Sequence, residues 1–161
     1  MDVQPANPNG KTVMLFHGKN FGSDYWKHAL EALSAQGYRV IAPDQIGFGK
    51  SSKPELRYSF ATLVENNLRL LDHLKIDRVA IVANSMGGML GVHFARSQPQ
   101  RVSGLVLENP LGLEDYVPSI PPQQTANLLK LEMAQTPASY RAFIKSYFKD
   151  NFRPEFERFV E

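Results

Sequence analysis

The sequence has 161 residues, about the length of one globular domain. Hydrophobic residues make up 43% and charged residues 21%, a composition that excludes disordered and fibrous proteins. No apolar run reaches about 18 to 20 residues, the length of a membrane-spanning helix, so membrane-spanning proteins are excluded as well. The absence of cysteine excludes disulfide scaffolds and thiolate sites, and the net charge of +2, spread over interleaved acidic and basic residues, leaves no footprint for nucleic acid.

Short apolar runs alternate with longer amphipathic runs, which predicts buried strands separated by helices. The predicted strands are 12–16, 38–42, 79–83 and 102–107, and the helices between them are 25–35, 59–74 and 86–96. This order predicts an α/β fold with a mostly parallel sheet and helices on both faces. The start of the sequence carries no secretory signal, so a cytoplasmic location is expected for the chain as it stands.

The pattern changes after residue 109, where prolines are frequent and no further strand is predicted. Helical patterns cover 123–134 and 137–148, and a third begins near Pro154. Thr136 followed by Pro137 is typical of a helix start. We therefore predict two domains, a sheet-containing core over 1–109 and a helical subdomain over 110–161.

The segment ANSMGG, residues 83–88, lies between a predicted strand and a predicted helix. A nucleophile elbow requires a serine on such a turn, with small residues two positions before and after it. Ser85 meets this rule, and the backbone N–H of Met86 would then point to the position of an oxyanion. The alternative is that Ser85 only caps the helix.

The segment HGKNF, residues 17–21, follows the first long strand. Acyl transfer needs a second oxyanion donor from a neighbouring loop, and the backbone N–H of Lys19 is the best candidate. We interpret His17 as a histidine that braces this loop rather than as a catalytic base. The side chains of His17, Asn20 and Phe21 are candidates for the lining of a substrate pocket.

The segment PDQIGFGKSSKP, residues 43–54, imitates part of a phosphate-binding loop in its Gly-Lys-Ser sequence. The first glycine of that motif is replaced by Asp44, and Pro54 interrupts the expected helix. A nucleotide site is therefore the weakest of the functional interpretations.

Together with LVLENP at 105–110, these segments resemble an α/β-hydrolase over about residues 11–116, most closely the serine-nucleophile branch with a helical cap. That branch includes small-ester hydrolases, C–C bond hydrolases and lactonases. The resemblance implies that Ser85 is the nucleophile, that the Lys19 and Met86 amides form the oxyanion hole, and that no metal or cofactor takes part. Epoxide hydrolases and dehalogenases of this fold place an aspartate at the elbow, so the serine implies acyl transfer on a small ester-like substrate. The two predicted domains would then be a partial hydrolase core and the beginning of the cap.

The family's triad histidine and its usual acid follow the cap, and neither has a matching position here. Glu108 is a position that some relatives use for the acid, and Asp115 is a weaker candidate. We therefore expect an internal slice of a longer enzyme that is inactive alone and self-associates through the open edge of its last strand. The alternative is a non-catalytic relative that binds a small ligand.

Overall fold

The computed structural model describes residues 1–113, 125–148 and 151–159. The chain divides into two compact units, Met1–Glu114 and Asp115–Glu161. The first unit contains a five-stranded sheet, and the described part of the second contains helices.

The sheet of the first unit has the spatial order β1-β3-β2-β4-β5. The short β1 runs antiparallel to β3, and all other neighbouring strands are parallel, as the sequence predicted. Because β2, β4 and β5 run in the same direction, the loops after them meet at one edge of the sheet. The strands are β1 (Asp2–Val3), β2 (Thr12–Phe16), β3 (Arg39–Ile41), β4 (Val79–Asn84) and β5 (Val102–Glu108).

Three α-helices cover the sheet: α1 (Lys27–Ala35), α2 (Phe60–His73) and α3 (Met86–Ser97). A 3-10 turn at Ser23–Trp26 precedes α1, where the sequence predicted helix from residue 25. Ser59 caps α2, because its Oγ accepts a hydrogen bond from the N–H of Thr62 at 3.1 Å.

Side chains of β2 alternate between the two faces of the sheet. Met14 and Phe16 belong to one buried cluster, which includes Leu63 of α2 and Phe94 of α3. Their neighbours Val13 and Leu15 belong to a second cluster on the opposite face, which includes Leu30 of α1 and Trp26. The predicted covering of both faces is therefore confirmed.

The second unit contains α4 (Thr125–Met133), α5 (Pro137–Phe148) and a 3-10 turn at Pro154–Phe159. Thr136 starts α5 as predicted, since its Oγ1 accepts from the N–H of Ser139 at 3.1 Å while Ser139 Oγ accepts from the N–H of Thr136 at 2.8 Å. Residues 123–124, the predicted start of α4, lie outside the described residues. Within the described ranges, no helix combines the length and apolar character needed to cross a membrane.

Candidate active site

Ser85 occupies the turn between β4 and α3. Its backbone has φ +52° and ψ −117°, a region that residues other than glycine rarely adopt. Its N–H donates to Glu108 O at 3.1 Å, and its carbonyl accepts from the N–H groups of Gly88 at 2.9 Å and Leu111 at 3.2 Å. The strained turn is therefore held by backbone hydrogen bonds, with a half-buried serine at its tip.

Two glycines allow the loop after β2 to lie against this turn. A Cβ atom added to Gly87 would lie 2.4 Å from Phe16 O and 2.7 Å from His17 O. A Cβ atom added to Gly18 would lie 3.1 Å from Ser85 Cβ. The HGKNF segment and Ser85 are thus immediate neighbours.

His17 is completely buried and hydrogen-bonded at both ring nitrogens. Nδ1 lies 2.8 Å from Gly18 O, and Nε2 accepts from the N–H of Gln45 at 2.9 Å. Since a carbonyl only accepts and an N–H only donates, the proton sits on Nδ1 and the ring is neutral. Burial lowers the pKa of His17, against the smaller opposing effects of Gly18 O and of the Asp44 and Asp24 carboxylates.

These contacts leave no ring nitrogen of His17 available to a substrate or to Ser85. A fully buried side chain does not line a pocket, so the geometry does not support the pocket role that we considered for His17. It supports the bracing role.

Lys19, Asn20 and Phe21 continue the same loop. Asn20 has a positive φ of 69°, and the Phe21 ring lies 5.3 Å from that of Tyr25. The hydroxyl of Tyr25 donates to Glu108 Oε2 at 3.4 Å, and burial together with this carboxylate raises the pKa of Tyr25 to about 12. Phe21 therefore contacts Tyr25, which is hydrogen-bonded to Glu108, and the backbone carbonyl of Glu108 accepts from the N–H of Ser85.

The two candidate acids have different positions. Glu108 is exposed at the end of β5, where its carboxylate contacts Tyr25. Asp115 lies outside the described residues.

No histidine of the chain is hydrogen-bonded to Ser85 Oγ, and all four lie within the described residues. His28 and His73 are exposed on α1 and α2. His93 is exposed on α3, where its ring stacks on Phe60 at 5.0 Å. The described part of the chain therefore provides a serine packed against the HGKNF segment, without a hydrogen-bonded histidine.

In the PDQIGFGKSSKP loop, the Asp44 carboxylate is bound by backbone N–H groups. Its carboxylate accepts from the N–H groups of Ser23 at 2.5 Å and Lys50 at 2.7 Å, and a Cβ atom on Gly49 would lie 2.6 Å from it. Burial alone would raise the pKa of Asp44, but hydrogen bonds from Ser23 and Lys50 oppose this effect, and the pKa lies below its ordinary value. The N–H groups of Ser23 and Lys50 thus bind an internal carboxylate, which argues against a nucleotide site. Among the described residues, no group of three or more histidine and acidic side chains could hold a metal ion.

Two buried polar residues near the site escaped the sequence analysis. Gln45 and Asn67 are both fully buried, and Asn67 Nδ2 donates to Gln45 Oε1 at 2.6 Å. A signal was present in α2, because Asn67 lies four residues from both Leu63 and Leu71 and so interrupts the apolar stripe of the helix. A buried polar residue in such a stripe requires a partner.

Comparison with known proteins supports the same fold. The family model for the α/β hydrolase fold matches residues 11–161. The chain is 39% identical over 105 residues to a haloalkane dehalogenase of Mesorhizobium japonicum, covering 65% of this chain and 34% of that protein. It is 42% identical over 106 residues to a 2-hydroxy-6-oxononadienedioate/2-hydroxy-6-oxononatrienedioate hydrolase of Paraburkholderia xenovorans, covering 63% and 37%.

A solved structure of a probable hydrolytic enzyme from Pseudomonas aeruginosa PAO1 has a TM-score of 0.91 and 39% identity. The match covers 99% of this chain and 52% of that one. The chain thus spans about a third of the length of these curated relatives and about half of this structure. The family match leads to one conclusion: this chain belongs to the α/β hydrolase fold family.

Proposed function

We propose that the protein is a serine hydrolase that cleaves ester or related acyl bonds through an acyl-enzyme on Ser85. The main supporting observation is the strained backbone of Ser85, with φ +52°, at a strand-to-helix turn packed against Gly18. Strained non-glycine residues of this kind concentrate at functional sites. A serine that merely capped α3 would accept a hydrogen bond from the helix start, and Ser85 Oγ accepts none.

The residue type at position 85 distinguishes between the chemistries of the named relatives. A carboxylate nucleophile that displaces a halide forms an ester, which water then cleaves. A serine that displaced a halide would form a stable ether, whereas a serine that attacks a carbonyl forms a hydrolysable ester. Ser85 therefore favours acyl transfer over dehalogenation, although one relative is named a haloalkane dehalogenase.

The Met86 and Lys19 backbone amides are the proposed oxyanion hole. Met86 is the first residue of α3, where N–H groups have no partner within the helix and the helix dipole favours negative charge. Lys19 follows Gly18, which lies against Ser85. As a base takes the Ser85 hydroxyl proton and Oγ bonds to the acyl carbon, the carbonyl oxygen becomes an anion that these donors stabilise. The carbonyl re-forms as the C–O bond to the alcohol breaks and the alcohol takes up the proton from the base; water then cleaves the ester on Ser85 and regenerates the hydroxyl.

We further propose that Asn20 and Phe21 face the bound acyl group, and that the helical unit is the beginning of a cap. Within that unit, Leu128, Leu129 and Met133 of α4 are exposed apolar side chains. The substrate is thus a small ester-like molecule with an apolar part.

Activity of the 161-residue chain alone should be residual at most. No histidine is hydrogen-bonded to Ser85, and in a characterised serine protease the loss of the triad histidine costs on the order of 10⁶ in turnover. Fast hydrolysis of p-nitrophenyl acetate that Ser85→Ala abolishes would contradict this expectation.

A fluorophosphonate tests the nucleophile itself. With imidazole added as an external base, we expect mass spectrometry to find phosphonylation at Ser85, to a greater extent as the imidazole concentration rises. Ser85→Ala should abolish the modification, and Ser103→Ala, at an exposed serine of β5, should leave it unchanged. A chain that folds but is not modified at Ser85 would favour the alternative of a non-catalytic small-ligand-binding protein.

A further inference from the structure

The buried pair of Gln45 and Asn67 is not explained by packing alone. Asn67 Nδ2 donates to Gln45 Oε1 at 2.6 Å and to Leu63 O at 2.8 Å, and the second contact between the two amides, from Gln45 Nε2 to Asn67 Oδ1, measures 3.5 Å. Burying two primary amides is unfavourable unless they are hydrogen-bonded, and a leucine at 67 would simply continue the stripe of Leu63 and Leu71. The pair therefore serves a purpose other than filling the core.

Its position next to His17 connects it to the candidate oxyanion hole. The same Gln45 whose side chain is held by Asn67 donates its backbone N–H to His17 Nε2 at 2.9 Å. On the other side of the ring, His17 Nδ1–H donates to Gly18 O at 2.8 Å. A continuous series of buried hydrogen bonds thus runs from α2 to Gly18.

The last bond in this series contributes to the direction of the Lys19 N–H, together with the longer bond that Gly18 O accepts from the N–H of Phe21 at 3.3 Å. The Gly18 carbonyl and the Lys19 N–H belong to one peptide unit, and no described peptide bond is cis. In a planar trans peptide the two groups point in opposite directions. Holding Gly18 O towards His17 therefore turns the Lys19 N–H away from His17.

We propose that Asn67 and Gln45 are positioning residues of the oxyanion hole, which act through His17 to orient the Gly18–Lys19 peptide. This inference rests on the proposed function. The pair acts on one donor only, because the Ser85 turn that carries the Met86 amide is held separately by Glu108 and Leu111. The amide pair, with one residue in the 43–54 loop and the other in α2, then sets how well a carbonyl oxygen is bound.

The first test measures orientation directly, by ¹⁵N NMR of the His17 ring and of the Lys19 amide. In the wild-type chain we expect a neutral ring protonated on Nδ1. In Asn67→Leu, the unpaired Gln45 amide should loosen the loop, mix the two ring tautomers, shift the titration midpoint of His17 upward and move the Lys19 resonance. Asn66→Leu, at the exposed neighbouring asparagine, is the matched control and should resemble the wild type.

A double variant, Gln45→Leu with Asn67→Leu, guards against misfolding, because it removes both amides and leaves neither unpaired. It should fold and still lose the ordered His17 tautomer. A folded double variant in which the His17 and Lys19 signals match the wild type would overturn the inference.

The second test measures the imidazole-assisted phosphonylation rate of Ser85. Misplacing one oxyanion donor should slow the reaction about tenfold in both variants and not in Asn66→Leu. Equal phosphonylation rates in the wild type and the double variant would overturn this inference but leave the proposed function standing. A wild-type chain without phosphonylation at Ser85 would overturn the proposed function, and this inference with it.

Discussion

Strain at a single residue accounts for the shape of the candidate site. A non-glycine residue at φ +52° and ψ −117° costs about 1–3 kcal/mol, and such a conformation persists only where its surroundings enforce it. At Ser85 three backbone hydrogen bonds do so, to Glu108, Gly88 and Leu111. In this conformation the Ser85 side chain does not cap α3, which is consistent with the role of nucleophile that we propose for it.

Because the backbone of Ser85 is strained, glycine should be preferred to alanine at position 85. Glycine adopts the conformation without a Cβ penalty, so we expect Ser85→Gly to be more stable than Ser85→Ala by about 1 kcal/mol. At Ser34, inside α1, the order should reverse, because glycine costs about 1 kcal/mol relative to alanine in a helix. Urea unfolding of the four variants measures both differences, and the same order at both positions would argue against a strained Ser85.

At the level of elements, the predicted strands correspond to β2, β3, β4 and β5 and the predicted helices to α1, α2 and α3, apart from details at their ends. The main exception is the start of α1, where a 3-10 turn at Ser23–Trp26 replaces helix. The N–H of Ser23, at the start of this turn, donates to the Asp44 carboxylate, which is 21 residues away in the sequence. Local hydrophobic periodicity cannot predict such a contact. The position of Ser85 was predictable because strand, small residues and helix are adjacent in the sequence. The Gln45–Asn67 pair was not, because its partners are separated by 22 residues.

The packing of α3 against β2 depends on Gly87. An alanine there would place its Cβ 2.4 Å from Phe16 O, and both atoms belong to rigid elements, so the start of α3 must move. We expect Gly87→Ala to lower the free energy of unfolding by about 1–3 kcal/mol and to slow phosphonylation of Ser85.

The matched control for this substitution is Gly104→Ala in β5, where nothing lies within 4 Å of the added methyl group. It should leave both the unfolding free energy and the labelling rate near the wild-type values. If both substitutions changed the unfolding free energy and the labelling rate equally, the short distance from Gly87 to Phe16 O would not be the reason for a glycine at position 87.

At the scale of the whole molecule, all the residues to which we assign a catalytic role lie in the first of the two units. The loops after β2, β4 and β5 bring the serine and both proposed oxyanion donors to one edge of the sheet, and all of them belong to the first unit. In the described part of the chain, no base reaches the serine and β5 is paired on one side only, with β4. The same strand that holds the Ser85 turn through Glu108 therefore has an open edge.

That open edge leads to a prediction about association. Unpaired backbone groups along a strand favour pairing with another chain, and Val106 on β5 is 58% exposed. We expect the chain to self-associate through β5, with a second copy as the partner. Val106→Lys should shift the distribution towards monomer in sedimentation velocity, because a charged side chain on an edge strand opposes strand pairing. Leu56→Lys, at an exposed leucine outside the sheet, should leave the distribution unchanged. A wild-type chain that stays monomeric at high concentration would mean that the edge of β5 does not recruit a second copy.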